Sequence, residues 1–242
     1  MGKLEGKVAI VTGGSRGIGK AIARGLAAQG AKTVIAARGV ETLNQAAKEL
    51  AGPGLTVVPV PTDVTDEIQV GALFQRTLEL FQRLDILVNN AGAFDGGPLD
   101  ELSVETWDKV IAANLRGPFL CTRAAMRIMK LQGGGRILNI GSIAAQRPRL
   151  NSAPYATSKF GLWGLTNATA LEGREFGISA GCLHPGNVPI EDISAQGVRG
   201  NEPMMAAEEL AEVAVLMASQ PAHINVLEAI VLPVAQKYLG RG

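Results

Sequence analysis

Val8-Ala9-Ile10-Val11-Thr12-Gly13-Gly14-Ser15-Arg16-Gly17-Ile18-Gly19 is the stretch on which the fold turns. Four consecutive apolar residues without alternation read as a strand covered on both faces. A glycine turn follows. Ile18, Ile22 and Leu26 then recur at helical spacing, and Gly30 marks the helix end. Gly13, Gly17 and Gly19 permit a tight turn and close backbone approach, and the N-terminus of the following helix favours a pyrophosphate. Ser15, Arg16 and Ile18 lie inside the same turn and join the glycines as candidate cofactor contacts.

The same grammar repeats outward from this unit. Apolar runs at Val8–Val11, Thr33–Ala37, Thr56–Val60, Ile86–Val88, Ile137–Ile140, Ser179–Leu183 and Ala229–Leu232 read as strands. Helical patterns fall between them at Glu41–Leu50, Ile68–Phe81, Val104–Asn114, Gly117–Lys130, Tyr155–Glu175 and Ala206–Ala218. Alternating strand and helix with right-handed crossovers predicts an α/β, doubly wound Rossmann fold: a parallel seven-stranded sheet with helices on both faces. No linker, repeat or low-complexity segment interrupts it, so one domain spanning 1–242 is expected. Ligands of such folds bind beyond the carboxyl ends of the strands.

Composition narrows the partners. A net charge of +1, with the charges interspersed, offers no electrostatic support for a nucleic acid or an anionic membrane. The N-terminal apolar run is too short for a signal peptide or a span. Gly2 lacks the Ser or Thr at position 6 that a myristoylation pattern needs. Cys121 and Cys182, both in apolar stretches, read as buried free thiols. A cytoplasmic protein with no metal is expected.

The end of the second apolar run chooses a cofactor. A carboxylate there would bind the ribose 2′-hydroxyl of NAD, whereas an arginine accommodates a 2′-phosphate. The chain reads Val34-Ile35-Ala36-Ala37-Arg38, with Arg38 at the tip and Arg16 as a second cation. Guanidinium groups suit phosphate geometry, so NADP(H) is the expected cofactor. Further on, Tyr155 and Lys159 stand four apart and share one helix face. An ammonium beside a phenol favours the phenolate, which suits the tyrosine to trade a proton with a substrate oxygen. Ser142 follows the strand at Ile137–Ile140, where its hydroxyl can hold the same oxygen.

With TGGSRGIG at 12–19, Asp63-Val64, NNAG at 89–92, Asn114, Ser142, YATSK at 155–159 and Pro185-Gly186 in this order, the chain resembles the short-chain dehydrogenase/reductase family from Val8 to about Leu232. The resemblance implies that Asp63 and Val64 contact adenine and that Asn90, Ala91 and Gly92 line the cofactor. It implies a catalytic tetrad of Asn114, Ser142, Tyr155 and Lys159, in which Lys159 also reaches the nicotinamide ribose and Asn114 holds a relay water. Pro185, Gly186 and the Val188 amide would meet the nicotinamide. The family pattern places a threonine where this chain has Ile190, which removes one anchor for the carboxamide. Glu191 to Glu202 is expected to form a substrate lid with Gly197 and Gly200 as hinges.

The activity so implied is interconversion of a carbonyl and an alcohol, on a ketone or aldehyde, a 3-oxoacyl thioester or a 3-hydroxy acid. Two other readings are a dinucleotide sensor without turnover, which the complete tetrad opposes, and a sugar-nucleotide epimerase or dehydratase, for whose larger substrate domain this chain is short. His184 reads as structural, His223 as without a role, and Asp85 as a turn residue. A homodimer or tetramer is expected. Phe160, Leu162, Trp163 and Leu165 point in several directions on the helix of Tyr155, and Gly161, Gly164 and Ala168 admit a neighbour. Phe119, Leu120, Ile128 and Met129 offer a second surface beside it.

Overall fold

Each apolar run forms a strand within a residue or two of its expected bounds: β1 (Val8–Thr12), β2 (Lys32–Ala37), β3 (Val57–Pro61), β4 (Ile86–Asn89), β5 (Gly135–Ile140), β6 (Ile178–Pro185) and β7 (Glu228–Val231). The helices are α1 (Gly17–Ala28), α2 (Val40–Leu50), α3 (Glu67–Phe81), α4 (Val104–Ile111), α5 (Gly117–Gln132), α6 (Ala153–Gly173) and α7 (Ala207–Ala218). They are seen in a computed structural model that describes residues 2–189 and 202–238.

The strands make one sheet in the order β3-β2-β1-β4-β5-β6-β7, every pair parallel. The fold is a doubly wound Rossmann-type α/β fold. Successive residues of β1 enter opposite cores: Ala9 and Val11 pack with α1 and α7 residues such as Ile22, Leu26 and Leu210. Ile10 packs with Leu73, Leu120 and Met129 of α3 and α5. This two-sided burial is why β1 reads as an unbroken apolar run. The edge strand β3 carries Pro59 and Pro61, which a central strand could not hold without losing ladder bonds. Order reversal between β1 and β4 opens the crevice where such sheets take ligands.

One predicted boundary differs. The helix expected over Val104–Asn114 stops at Ile111, and Ala112–Arg116 widens into a π turn before α5. Pro118, near the start of α5, has no N–H to give to a preceding carbonyl. A widened turn at that junction accommodates the loss.

The residues expected to face outward on α5 and α6 divide. Leu120, Met129 and Leu162 are at most 3% exposed and belong to the chain's own interior. Ile128 packs partly buried on the α3–α5 side of the sheet. Trp163 turns edge-on to His184 of β6, with centroids 5.8 Å apart. Gly161 has no room for a Cβ because Leu115 of the same chain would lie 2.9 Å from it. These inward contacts arise because both helices must cover the sheet. Phe119 and Phe160 remain exposed, at 44% and 47%.

Asp85 is more than a turn residue. Its carboxylate accepts from the Val8 N–H at 2.9 Å, from Arg83 at 2.8 and 2.6 Å, and from Lys7 at 3.2 Å. It thus ties the amino ends of β1 and β4. Burial pushes its carboxyl up, but the Arg83 guanidinium, the Val8 N–H and Lys7 outweigh that and hold it below the usual range. A carboxyl depressed in the folded state stabilises above its unfolded value, about 3.9, and loses that contribution as pH falls through the folded value. Asp85→Asn should therefore cost about 1–3 kcal/mol near neutral pH. Urea denaturation should show the difference from the unsubstituted chain shrinking below about pH 4.

Candidate functional site

The expected site residues gather along the carboxyl edge of the sheet. At the crevice between β1 and β4, the Thr12 hydroxyl accepts from the N–H groups of Asn90 and Ala91 at 3.0 and 3.1 Å, and donates to the Val88 carbonyl at 3.3 Å. The Asn90 amide returns the contact, donating to the carbonyls of Thr12 and Gly13 at 3.0 and 3.1 Å. The glycine turn and the Asn89-Asn90-Ala91-Gly92 segment are thereby sewn together. Gly19 lies so close to this seam that a Cβ would strike the Gly13 carbonyl and the Asn90 amide. Gly17, at the first position of α1, has φ +51° and faces open space where its Cβ would be.

Arg16 is the N-cap residue of α1 and, like Arg38 at the tip of β2, is exposed. Ser15 and Ile18 are half-buried in the turn. Positive-φ glycine, open space in front of a helix N-terminus and exposed guanidinium at the tip of β2 form a cradle whose chemistry suits the phosphates of a dinucleotide. Asp63 and Val64 stand at the carboxyl end of β3. The Asp63 carboxylate accepts from the N–H and hydroxyl of Thr65 at 2.9 and 2.8 Å. The Val64 side chain is buried against α5, where a Cβ at Gly117 would meet it at 2.8 Å.

The four residues of the expected tetrad come from three elements. Asn114 sits in the π turn, 1% exposed, and fills the gap between that turn and the residues after β4. Its amide donates to the Ala93 carbonyl at 2.9 Å and the Ser158 hydroxyl at 3.0 Å, and its oxygen accepts from the Ala93 N–H at 2.7 Å. Ser142 opens a short 3₁₀ turn, Ile143–Ala145, and its hydroxyl oxygen accepts from the Ala144 N–H at 3.1 Å. Tyr155 and Lys159 lie on successive turns of α6. The Lys159 ammonium, 6% exposed, stands 5.6 Å from the Tyr155 ring centroid and donates to the Ile140 carbonyl at 2.8 Å. Phe94 meets the other side of Tyr155 edge-on, with centroids 5.0 Å apart.

Beyond β6, the Gly186 N–H donates to the Val231 carbonyl at 2.8 Å, and the Val188 side chain is buried in the core shared with α1 and α7. Pro185 ends β6 beside them. Ile190 and the lid segment with Gly197 and Gly200 lie outside the described residues, which resume at Glu202. Glu202 and Arg149 form an ion pair at 3.2 Å, and both bond the Asn187 side chain, at 2.7 and 3.1 Å.

Several supporting residues were given no role by the sequence. Thr12 and Ser158 fall inside the TGGSRGIG and YATSK stretches without a role of their own, and Ser158 donates to the Tyr155 carbonyl at 2.7 Å. Asn139 and Thr166 bond at 2.8 Å beneath the site, at positions that read as an ordinary strand and helix. The two cysteines are buried and unpaired, and burial pushes both thiols up to about 12. Burial pushes His184 below the ordinary imidazole range, although the Ser142 backbone and Glu228 pull it the other way. No helix among the described residues is long and apolar enough to cross a membrane.

Known proteins are similar to this chain in sequence and fold. The family model for short chain dehydrogenases matches residues 7–196. An uncharacterized oxidoreductase of Staphylococcus haemolyticus is 35% identical over 236 residues, covering 97% of this chain and all of that protein. A metagenomic short-chain oxidoreductase solved in complex with NADP superposes with a TM-score of 0.84 at 35% identity, covering 96% of this chain and 98% of that one. A variant of actinorhodin polyketide ketoreductase solved with NADPH gives a TM-score of 0.88 at 30% identity, with the same coverage. The motifs along the carboxyl edge, the sheet order and these matches agree: the chain belongs to the short-chain dehydrogenase family of oxidoreductases.

Proposed function

We propose that the chain is an NADP(H)-dependent oxidoreductase that interconverts a carbonyl and an alcohol, with Tyr155 as general acid and base. The observation that carries this reading is the placement of Lys159 beneath the Tyr155 ring at the carboxyl edge of β5. The pyrophosphate would rest on the turn of Gly13, Ser15, Arg16, Gly17, Ile18 and Gly19, and the 2′-phosphate against Arg38, with Arg16 as the second cation. Asp63, Val64, Asn90, Ala91, Gly92, Pro185, Gly186 and Val188 would line the rest. Bound there, the nicotinamide gives or takes the hydride.

In the reducing direction the substrate oxygen accepts hydrogen bonds from the hydroxyls of Tyr155 and Ser142. Tyr155 hands over its proton as negative charge builds on that oxygen. The Lys159 ammonium favours the phenolate left behind, and its bond to the Ile140 carbonyl fixes where the charge sits. Both amide hydrogens of Asn114 are committed to Ala93 and Ser158, so a relay water beside Lys159 would be held by a carbonyl acceptor. The exposed Phe94 gives the pocket an apolar wall next to Tyr155, which suits a ketone with a hydrocarbon flank. Similarity to a polyketide ketoreductase supports the same substrate class. The homo-oligomer is proposed to form over α5 and α6. A groove of about 290 Å³ runs between these helices, lined by Phe119, Met126, Leu165 and Ala168.

Three outcomes are expected. Tyr155→Phe abolishes reduction of a panel of ketones, aldehydes and 3-oxoacyl thioesters followed by NADPH oxidation, while NADPH affinity by fluorescence titration stays nearly intact. Near-normal kcat in that variant removes Tyr155 as the proton donor. Arg38→Ala weakens NADPH by about 1.5–3 kcal/mol, roughly tenfold or more, and leaves NADH little changed. Equal kcat/KM for the two cofactors in the unsubstituted enzyme contradicts the assignment of Arg38. Sedimentation equilibrium at micromolar concentration gives a dimer or tetramer mass, and a fully active monomer overturns the α5–α6 interface.

A further inference from the structure

His184 is completely buried in β6, yet its imidazole is aimed at the Ser142 turn. Nδ1 lies 2.9 Å from the Ser142 carbonyl oxygen and 3.3 Å from the Ser142 N–H. One ring nitrogen thus faces both backbone groups of a single residue. The ring has no room to move: Trp163 packs edge-on against it, and a Cβ at Gly141 would come within 2.6 Å of Nδ1.

The opposite side of the ring approaches a carboxylate without a hydrogen bond. Nε2 faces Glu228 Oε1 at 3.4 Å. That carboxylate accepts from Gln146 Nε2 at 2.6 Å, and Gln146 Oε1 accepts from the Tyr238 hydroxyl. Ser142 opens the 3₁₀ turn and Gln146 closes it. The turn is therefore held at its first residue by His184 and at its last by Glu228 and Tyr238. Its geometry aims the Ser142 hydroxyl, whose oxygen is already bonded within the turn to the Ala144 N–H. An aliphatic side chain could fill this slot without the cost of burying an imidazole whose Nε2 finds no well-aligned hydrogen bond. Packing alone therefore does not account for His184.

We propose that His184 is a positioning residue for the reaction: it fixes the backbone of Ser142 and thereby sets where the Ser142 hydroxyl meets the substrate oxygen. The inference rests on the reading of Ser142 given under Proposed function.

A double-mutant cycle on kcat for ketone reduction, in the full chain, tests it. His184→Leu is expected to lower kcat about tenfold, with NADPH affinity unchanged. His184→Asn, whose amide can donate from near the Nδ1 position, is expected to recover most of that loss. Glu228→Ala, which frees only the far end of the turn at a half-exposed position, is expected to lower kcat by about threefold and covers the case in which His184→Leu does not fold. In a Ser142→Ala background all of these effects should vanish, because the group being positioned is gone. A folded His184→Leu with undiminished kcat overturns the proposal, as does a loss of the same size in the Ser142→Ala background, or Asn and Leu variants that are equally slow. Ser142→Ala that keeps full kcat removes the reading of Ser142 itself, a result distinct from any of these.

Discussion

A buried polar side chain without a partner costs about 1–3 kcal/mol, and this sheet carries several along its inner strands. Asn89 of β4 donates to Asn139 of β5 at 2.8 Å and to Thr122 of α5 at 3.1 Å. Asn139 donates to Thr166 of α6 at 2.8 Å. Asn114 closes the row through Ser158 of α6. The row favours one placement of the helices along the sheet: sliding α6 by one residue would break the Thr166 and Ser158 bonds together, and sliding α5 would break the Thr122 bond. Tyr155 and Lys159 ride near the start of α6. Their position over the carboxyl edge is thus held by polar matching at Ser158 beside them and at Thr166 further along the helix, where apolar packing alone would tolerate a small slip.

Charge is distributed in the same economical way. At the amino edge, one buried carboxylate, Asp85, gathers Lys7, Arg83 and a strand N–H. At the carboxyl edge a buried ammonium, Lys159, is accommodated by a strand-end carbonyl. Cys182 lies on β6 close enough to feel that ammonium, yet its thiol is pushed up to about 12 by burial. A thiol so protonated is a poor nucleophile near neutral pH.

The sheet was legible in the sequence because its inner strands are buried on both faces, so each wrote itself as an apolar run between glycine- or polar-marked turns. The glycine turn was legible for a related reason: backbone crowding at Gly19 and positive φ at Gly17 exclude side chains and leave a fixed spacing. The tyrosine and lysine were visible as a helical i, i+4 pair. What stayed hidden has no period. The Asp85 clamp joins residues 77 apart, the Asn139–Thr166 bond residues 27 apart, and each member taken alone resembles a turn or a strand residue. The apolar residues that point in several directions on α5 and α6 divide between the core and the surface. Apolar residues on a helix that covers a sheet mark its inner face as readily as an interface, and Leu120, Met129 and Leu162 proved to be core.

The two ends of the carboxyl edge are held by different physics. Around the glycine turn, the side chains of Thr12 and Asn90 bond backbone groups of the adjoining strand ends, and Gly19 has no space for a Cβ. A change there strains the sheet itself. The Ser142 end is tied by side chains that reach across from distant parts of the chain. Gln236 accepts from the Asn187 N–H at 2.9 Å, Arg149 and Glu202 meet over Asn187, and Tyr238 reaches Gln146. Several of these groups are partly exposed, and a hydrogen bond of this kind contributes only about 1 kcal/mol net. They can be exchanged singly without unfolding the strands beneath. A sheet built this way keeps its glycine turn fixed while the side chains around the Ser142 end can change.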